Sequence, residues 1–187
     1  MNLELPRRHL VLAGAAALLP LRESVAQTAA AGGDWFAMIQ AHHALVARSF
    51  DQLLATGDKS TFLARDRMVR LIGYQLTAHS VAEENVIYPA IARAGMVTES
   101  DKLYLDQAHA KVMQSQLELQ SRIQEEGTWV QAARTLQAAV LQHAKGDEEG
   151  RLYPQLRAKT SASENAMLTA LYRREFDSVK PLRAATS

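Results

Sequence analysis

The sequence predicts an all-α protein that folds as an antiparallel up-down-up-down four-helix bundle with a short C-terminal fifth helix. Aromatic residues, glycine and proline are sparse, whereas alanine, leucine and glutamine are abundant, and this composition favours helices. No stretch alternates apolar and polar residues at the two-residue period of a strand. Short connections separate the helical segments, so successive helices are expected to run antiparallel.

The predicted helices are bounded by breakers and capping residues. Gly57 follows the first helix, Gly95 stops the second, and Gly127 ends the third. Pro89 is expected to bend the end of the second helix without abolishing it. The five predicted ranges are 34–55, 61–94, 98–126, 128–158 and 161–179.

Apolar residues at helical spacing predict the inward faces of these helices. On the first helix the predicted inward residues are Trp35, Ile39, Val46, Phe50 and Leu53. On the third helix they are Leu105, His109, Val112 and Leu119.

Residues 1–26 have the features of a secretory signal peptide. Arg7 and Arg8 precede a short apolar run, and small residues occupy Ser24 and Ala26, where a signal peptidase would cut. The paired arginines favour the twin-arginine route, and hence a periplasmic protein, over an ordinary secretory signal or an uncleaved anchor. The remaining chain divides into a flexible lead-in at 27–33, the bundle at 34–158, and a C-terminal helix and tail at 159–187.

Composition excludes several classes of partner and cofactor. The formal net charge is +1, which gives no reason to expect binding to nucleic acid or, in the mature form, to a membrane. The chain has no cysteine, so it has no disulfide, zinc ribbon or iron–sulfur cluster. Any metal ion must therefore be held by nitrogen and oxygen donors.

A motif of histidine, paired acids and Tyr-Pro occurs twice. The first copy runs from His79 through Glu83 and Glu84 to Tyr88-Pro89, and the second runs from His143 through Asp147-Glu148-Glu149 to Tyr153-Pro154. A histidine followed four residues later by a carboxylate places both side chains on one helix face, about 6 Å apart along the axis. This arrangement can chelate a metal ion, and two such chelates predict a metal site inside the bundle.

Four ordered elements resemble the haemerythrin-like (HHE cation-binding) family over residues 34–158. They are the His42-His43 pair, His79-x3-Glu83, the single His109, and His143-x4-Glu148. The resemblance implies a metal centre ligated by these residues, with iron as the expected metal, two ions as the expected number, and manganese or zinc as less favoured alternatives. Glu83 and Glu148 would be the natural bridges between two ions.

Two ligand assignments have competing candidates. His43 shares its helix stripe with Ile39 and Val46, which favours it over His42. Asp147 stands four residues after His143, the regular chelating distance, whereas Glu148 stands five residues after it. Glu148 is favoured because a π-bulge near Gly146 would return it to the face of His143.

The third predicted helix departs from the family pattern. Members that carry oxygen have a further histidine four residues after the one that corresponds to His109, and this chain has Met113 there. The departure counts against reversible oxygen transport and predicts an open coordination position. The tyrosines are expected to be core or rim residues, and a tyrosine oxygen at the vacant position is the less favoured alternative.

Three classes of function are therefore predicted. The first is a sensor or binder of dioxygen, nitric oxide or peroxide at a non-haem diiron site, acting through an unidentified partner protein. The second is a redox enzyme that consumes peroxide or oxidises iron at the same site. The third is a protein that stores a metal or uses it only structurally.

Overall fold

The computed structural model describes residues 33–57, 61–122 and 127–179, and all regular structure within these ranges is helical. The predicted signal peptide and nearly all of the lead-in lie outside the described residues. The helices are α1 (Trp35–Thr56), α2 (Phe62–Ala82), π1 (Glu83–Ile87), α3 (Tyr88–Arg93), α4 (Val97–Gln120), α5 (Thr128–Gln142), π2 (His143–Leu152), α6 (Tyr153–Lys159) and α7 (Ala162–Ser178).

These segments form four long rods and one additional helix. The second rod is α2 continued through π1 and α3, and the fourth is α5 continued through π2 and α6. α1 packs against α2 and α5, and α4 also packs against α2 and α5, so the rods close into a bundle. α7 lies against α2 and α1. The predicted all-helical fold with a short fifth helix is confirmed.

Local signals explain several helix ends. The Asp34 side chain accepts a hydrogen bond from the Ala37 amide, and Ser161 forms a capping box with Glu164 at the start of α7. α5 begins at Thr128, and Gly127 precedes it with a φ of 88°. That left-handed backbone angle requires glycine.

The core consists of two apolar clusters with a polar layer between them. One cluster includes Trp35, Ile39 and Tyr172, and the other includes Phe50, Leu117 and Trp129. His43 lies in α1 between Ile39 and Val46, and so falls between the clusters. Buried polar groups at this level must find partners within the protein.

α4 corresponds to the third predicted helix, and the inward face predicted for that helix is wrong. Leu105, Val112 and Leu119 are 61%, 58% and 64% exposed. The residues that face the core follow alternating three- and four-residue steps, and the buried ones are Ser100, Leu103, Gln107, Gln114 and Leu117. The inward glutamines are accommodated because each one has a hydrogen-bond partner: Gln107 donates to Glu83, and Gln114 donates to the Val69 carbonyl.

Candidate metal centre

Both copies of the repeated motif are wound as π-helix. The Tyr88 amide donates to the Glu83 carbonyl, and the Tyr153 amide donates to the Glu148 carbonyl, five residues earlier in each case. In an α-helix, residues five apart point to different faces, whereas the wider π-helical turn brings them closer to one face. Each π-helix therefore presents a glutamate and a tyrosine to the interior together.

π2 is longer than π1 and accommodates the extra residue of the second motif. Glu148 is completely buried beside His143, whereas Asp147 lies on the rim and pairs with Lys102 and Arg151. Gly146 was expected to permit the bulge, but Gly150 is the more constrained glycine. A Cβ at Gly150 would lie 2.7 Å from the Lys145 carbonyl oxygen, which is part of the backbone and cannot easily move.

Two imidazoles and two carboxylates converge at the centre of the bundle. His43 Nε2 lies 3.0 Å from His79 Nε2 and 3.2 Å from Glu148 Oε2. His79 Nε2 lies 2.9 Å from Glu83 Oε2. These four residues are all buried, and their donor atoms lie within 4.8 Å of one another. Four predicted ligands from three rods are thus brought together.

His143 approaches Glu148 at its other carboxylate oxygen. Its Nε2 lies 3.1 Å from Glu148 Oε1, so Glu148 presents one oxygen to His43 and the other to His143. The side chain of His143 is 12% exposed, more than those of His43 or His79 at 2% and 6%. The centre is therefore closest to solvent on the His143 side.

Each inward histidine has a partner for its outward nitrogen. His43 Nδ1 lies 2.7 Å from Glu149, His79 Nδ1 lies 3.3 Å from the Tyr172 hydroxyl, and His143 Nδ1 lies 3.3 Å from Asp106. Metal-binding histidines in proteins are oriented in this way, with the second ring nitrogen bonded to a carboxylate or another acceptor. Every Nε2 is left facing the shared interior.

In the absence of a metal ion, Glu148 and the two histidines that contact it, His43 and His143, strongly shift one another's pKa values. Although burial lowers the pKa of His43 and His143, bonding to Glu148 outweighs burial and raises both pKa values to about 9. Burial raises the pKa of Glu148, but the two histidines hold it well below its usual range. Protonated His43 and His143 thus supply the positive charge that the buried Glu148 carboxylate requires.

Two observations show that this donor set fits a metal ion. Glu148 Oε2 is buried, and although His43 Nε2 lies 3.2 Å away, the contact lacks the geometry of a hydrogen bond, so a cation would satisfy this oxygen better. The ring nitrogens of His43 and His79 face each other at 3.0 Å, close enough for both to bond one ion. Donors that bond one ion at right angles at about 2.1 Å lie about 3.0 Å apart, which is close to the spacings found here.

A second group of potential donors lies at the rim and comprises Asp106, His143 and Asp147. Lys102 already pairs with Asp106 at 2.7 Å and with Asp147 at 2.8 Å. An ammonium group therefore supplies the positive charge that this acidic pair needs. The rim group is therefore not a second metal site, and its role is to hold His143 through Asp106.

His42 is buried beside the centre but is directed away from it. Its ring stacks on Phe176 with 3.9 Å between ring centroids, and its Nδ1 lies 3.0 Å from the Tyr172 hydroxyl. Burial, followed by repulsion from His79 and His43, lowers the pKa of His42 to about 3. His42 is therefore neutral, and it shares Tyr172 with the proposed ligand His79.

The expected inward position of His109 is wrong, because its side chain is exposed on the outer face of α4. The α4 side chain nearest the centre is Gln107, whose Nε2 donates to Glu83 Oε2 and to the Tyr88 hydroxyl, both at 3.0 Å. Gln107 was missed because apolar residues are more numerous on the exposed face. The three- and four-residue steps from Ser100 to Leu103 to Gln107 were the available signal.

The tyrosines of the two motifs are core residues, as expected, and in addition they hydrogen-bond to the glutamates. Tyr88 and Tyr153 are fully buried, and both donate to Glu148 Oε1, at 2.8 Å and 2.6 Å. The Tyr153 hydroxyl also lies within hydrogen-bonding distance of Glu83, so its single proton is shared between the two glutamates. Burial, followed by the charges of Glu148 and Glu83, raises both phenol pKa values well above the usual range, so these hydroxyl groups keep their protons in the metal-free protein.

Comparison with known proteins agrees with this geometry. The family model described as the Hemerythrin HHE cation binding domain matches residues 36–156, which is more than half of the chain. The chain belongs to the haemerythrin HHE cation-binding family. Searches of curated proteins and of solved structures found no match. Within the described residues, no helix combines the length and apolar character needed to cross a membrane.

The matched region places this HHE domain across all four long rods. It contains the inward histidines and both glutamates, and it ends before α7. Tyr172, which bonds His42 and His79, therefore lies outside the matched region. Family membership and the buried cluster together support a metal-binding function for the chain.

Proposed function

We propose that this HHE protein is an exported, non-haem iron protein that binds or senses dioxygen, nitric oxide or peroxide at a two-ion site. The observation that carries the proposal is the convergence of four buried side chains, whose donor atoms lie within 4.8 Å of one another: His43, His79, Glu83 and Glu148. Three imidazoles and two carboxylates form a nitrogen–oxygen donor set that suits iron better than the softer metals.

The proposed ligands fall into two groups that share both glutamates. His43 and His79 would hold one ion with Glu83 and Glu148, and His143 would hold the other with the same two carboxylates. Iron in such a centre would supply the electrons needed to bind oxygen-derived molecules. Manganese and zinc remain the next candidates because they accept similar donors.

The surrounding residues orient the ligands and limit the access of water. Glu149, Tyr172 and Asp106 hold the outward nitrogens of the three histidines. The Tyr153 hydroxyl lies between Glu83 and Glu148 and hydrogen-bonds to both, which fixes the two carboxylates relative to each other. Small molecules would approach from the His143 side, where the shell is most exposed.

The proposal of export depends on the N-terminal sequence. The Arg7-Arg8 pair and the apolar run after it support a twin-arginine signal and a periplasmic location. This route exports folded proteins, so iron could be inserted before the chain meets copper or zinc, which would otherwise bind more tightly. Replacing both arginines by lysine should retain the precursor in the cytoplasm, and cell fractionation would detect this.

The direct test is metal analysis of anaerobically prepared protein, with spectra before and after exposure to air, nitric oxide or peroxide. About two irons per chain and ligand-dependent charge-transfer bands are expected for a diiron centre. His79→Ala and Glu83→Ala should lose iron, whereas Glu84→Ala, which removes a carboxylate on the rim, should retain it. A single zinc with no visible spectrum, or unchanged iron in His79→Ala, would refute the proposal.

The side chain that α4 directs toward the centre favours a redox enzyme as the alternative function. This helix contributes an amide at Gln107 and no inward imidazole, so the His143 side has fewer nitrogen donors than the His43–His79 side. Incomplete protein ligation leaves room for a substrate. Catalytic disappearance of peroxide in excess of the iron present would identify an enzyme, and a stoichiometric, reversible spectral change would identify a binder.

A further inference from the structure

The His143 side of the centre has one imidazole, and a tyrosine oxygen lies beside it. On the other side, His43 and His79 provide an imidazole each. Near His143, the hydroxyl oxygen of Tyr88 lies at a comparable distance, 3.1 Å from His143 Nε2. Tyr88 belongs to the first motif, yet its oxygen lies beside the histidine of the second.

The distances from the Tyr88 oxygen to its neighbours are those expected of a metal ligand. Tyr88 Oη lies 2.8 Å from Glu148 Oε1 and 3.4 Å from Glu83 Oε2, and His143 Nε2 lies 3.1 Å from the same Glu148 oxygen. Two donors on one ion are separated by about 3 Å when each bond is about 2.1 Å long. The Tyr88 oxygen therefore has the spacing expected of a neighbour in one coordination sphere.

We propose that Tyr88 is a metal ligand on the His143 side, bound through its phenol oxygen. This inference rests on the proposed function, since it requires an ion at the centre. The phenol proton would be released as the ion binds, as happens with other protonated ligands. An anionic, hard oxygen donor stabilises ferric iron relative to ferrous iron, so the Tyr88 ligand favours an oxidised resting state.

Packing holds the Tyr88 oxygen in place. The side chain is 0% exposed, and the ring of Tyr104 packs edge-on against it at 5.1 Å between centroids. Gln107 donates to the hydroxyl at 3.0 Å, and Ser100 donates to the Tyr88 carbonyl at 2.9 Å. A ligand held in this way requires little rearrangement when the ion binds.

Tyr153 occupies the equivalent sequence position but a different environment. In the described part of the chain its hydroxyl hydrogen-bonds to Glu83 and Glu148, and to no imidazole. Its ring packs edge-on against Trp35 at 5.4 Å between centroids. We therefore assign Tyr153 to positioning the carboxylates, and Tyr88 alone to ligation.

The test is to load the metal-free full chain with ferrous iron anaerobically, oxidise it with ferricyanide, and measure iron content, visible absorption and resonance Raman spectra. Iron bound to tyrosine absorbs in the visible region, and excitation there enhances the tyrosine ring vibrations. We expect these vibrations in the wild type and in Tyr153→Phe. Tyr88→Phe should lose them while retaining at least the iron held by His43 and His79.

Tyr104→Phe is the matched control, because Tyr104 contacts Tyr88 but donates its own hydroxyl to the Glu84 carbonyl. It should keep both iron and vibrations. Iron without tyrosine vibrations in the wild type, or vibrations lost in Tyr153→Phe, would overturn the inference and leave the proposed function intact. A wild type that binds no iron would overturn the proposed function itself. If Tyr88→Phe does not fold, as judged by circular dichroism, the wild type and Tyr153→Phe still decide the question.

Discussion

The two halves of the bundle carry the same motif but supply the centre differently. The first half, α1 to α3, contributes the imidazoles of His43 and His79, the carboxylate of Glu83, and the hydroxyl of Tyr88. The second half, α4 to α6, contributes His143, Glu148 and the Tyr153 hydroxyl. The difference originates in the leading helix of each half, since α1 directs a histidine inward and α4 directs Gln107 inward.

Residues at equivalent positions of the two motif copies therefore do not always have equivalent roles. The glutamates are used alike, because each π-helix turns one completely buried carboxylate toward the centre. The following acids differ: Glu149 bonds His43, whereas Glu84 pairs with Lys111 on the rim. Helix rotation and the neighbours available at each position decide which residues of a repeat reach the centre.

Removing the carboxylate of Glu148 should have the largest effect. Glu148→Gln is expected to lose metal on both sides of the centre, because one oxygen faces His43 and the other faces His143. Asp147→Asn is the matched control and should retain the metal, with a stability change below about 1 kcal/mol for a partly exposed ion pair. Metal content and urea unfolding would measure both. Equal losses in the two variants would contradict the assignment of Glu148.

Replacing His43 should affect one side of the centre. His43→Gln is expected to lose the ion shared with His79 and to retain metal on the His143 side. His42→Leu should retain the full metal content, because His42 contacts Tyr172 and Phe176 rather than the carboxylates. Its stability should change by about 1 kcal/mol or less, since the lost hydrogen bond is offset by removal of the unpartnered Nε2. Metal loss in His42→Leu alone would reverse the choice between the two histidines.

Without metal, stability should fall as the pH rises above neutrality. The pKa values of His43 and His143 are raised from 6.5 to about 9, so their stabilising contribution is complete below pH 6.5 and disappears as the pH approaches 9. A shift of this size in one histidine corresponds to about 3 kcal/mol, and the two contributions overlap because both depend on Glu148. Urea unfolding of metal-free protein at pH 6 and pH 9 tests this. In the presence of metal the trend should weaken or reverse, because the ion displaces these protons.

Replacing His109 should have the smallest effect, whereas replacing Gln107 on the same helix should weaken metal binding. His109→Ala should leave metal content unchanged and alter stability by no more than about 0.5 kcal/mol, as expected for an exposed residue. Gln107→Ala removes hydrogen bonds to Glu83 and Tyr88, and should weaken metal affinity by about tenfold. Competition with a coloured chelator would resolve the two. Weaker binding in His109→Ala would show that α4 turns differently in the metal-bound protein.

Much of the molecule follows from the chain alone. Composition and periodicity predict the helices, and the predicted inward residues of α1 are all buried. The spacing of the second motif predicts a π-bulge, and π2 accommodates the extra residue. These predictions succeed because helix periodicity and local hydrogen bonding depend on residues close in sequence.

Which polar residues meet depends on how the helices pack against one another. Apolar residues on α4 indicated the wrong face, because Gln107 and Gln114 can be buried once Glu83 and the Val69 carbonyl accept their hydrogen bonds. Tyr172 reaches His79 across 93 positions of sequence, from a helix outside the family match. Such partnerships depend on how the helices are rotated against one another, and the free energy of satisfying buried polar groups is settled only when all the neighbours are in place.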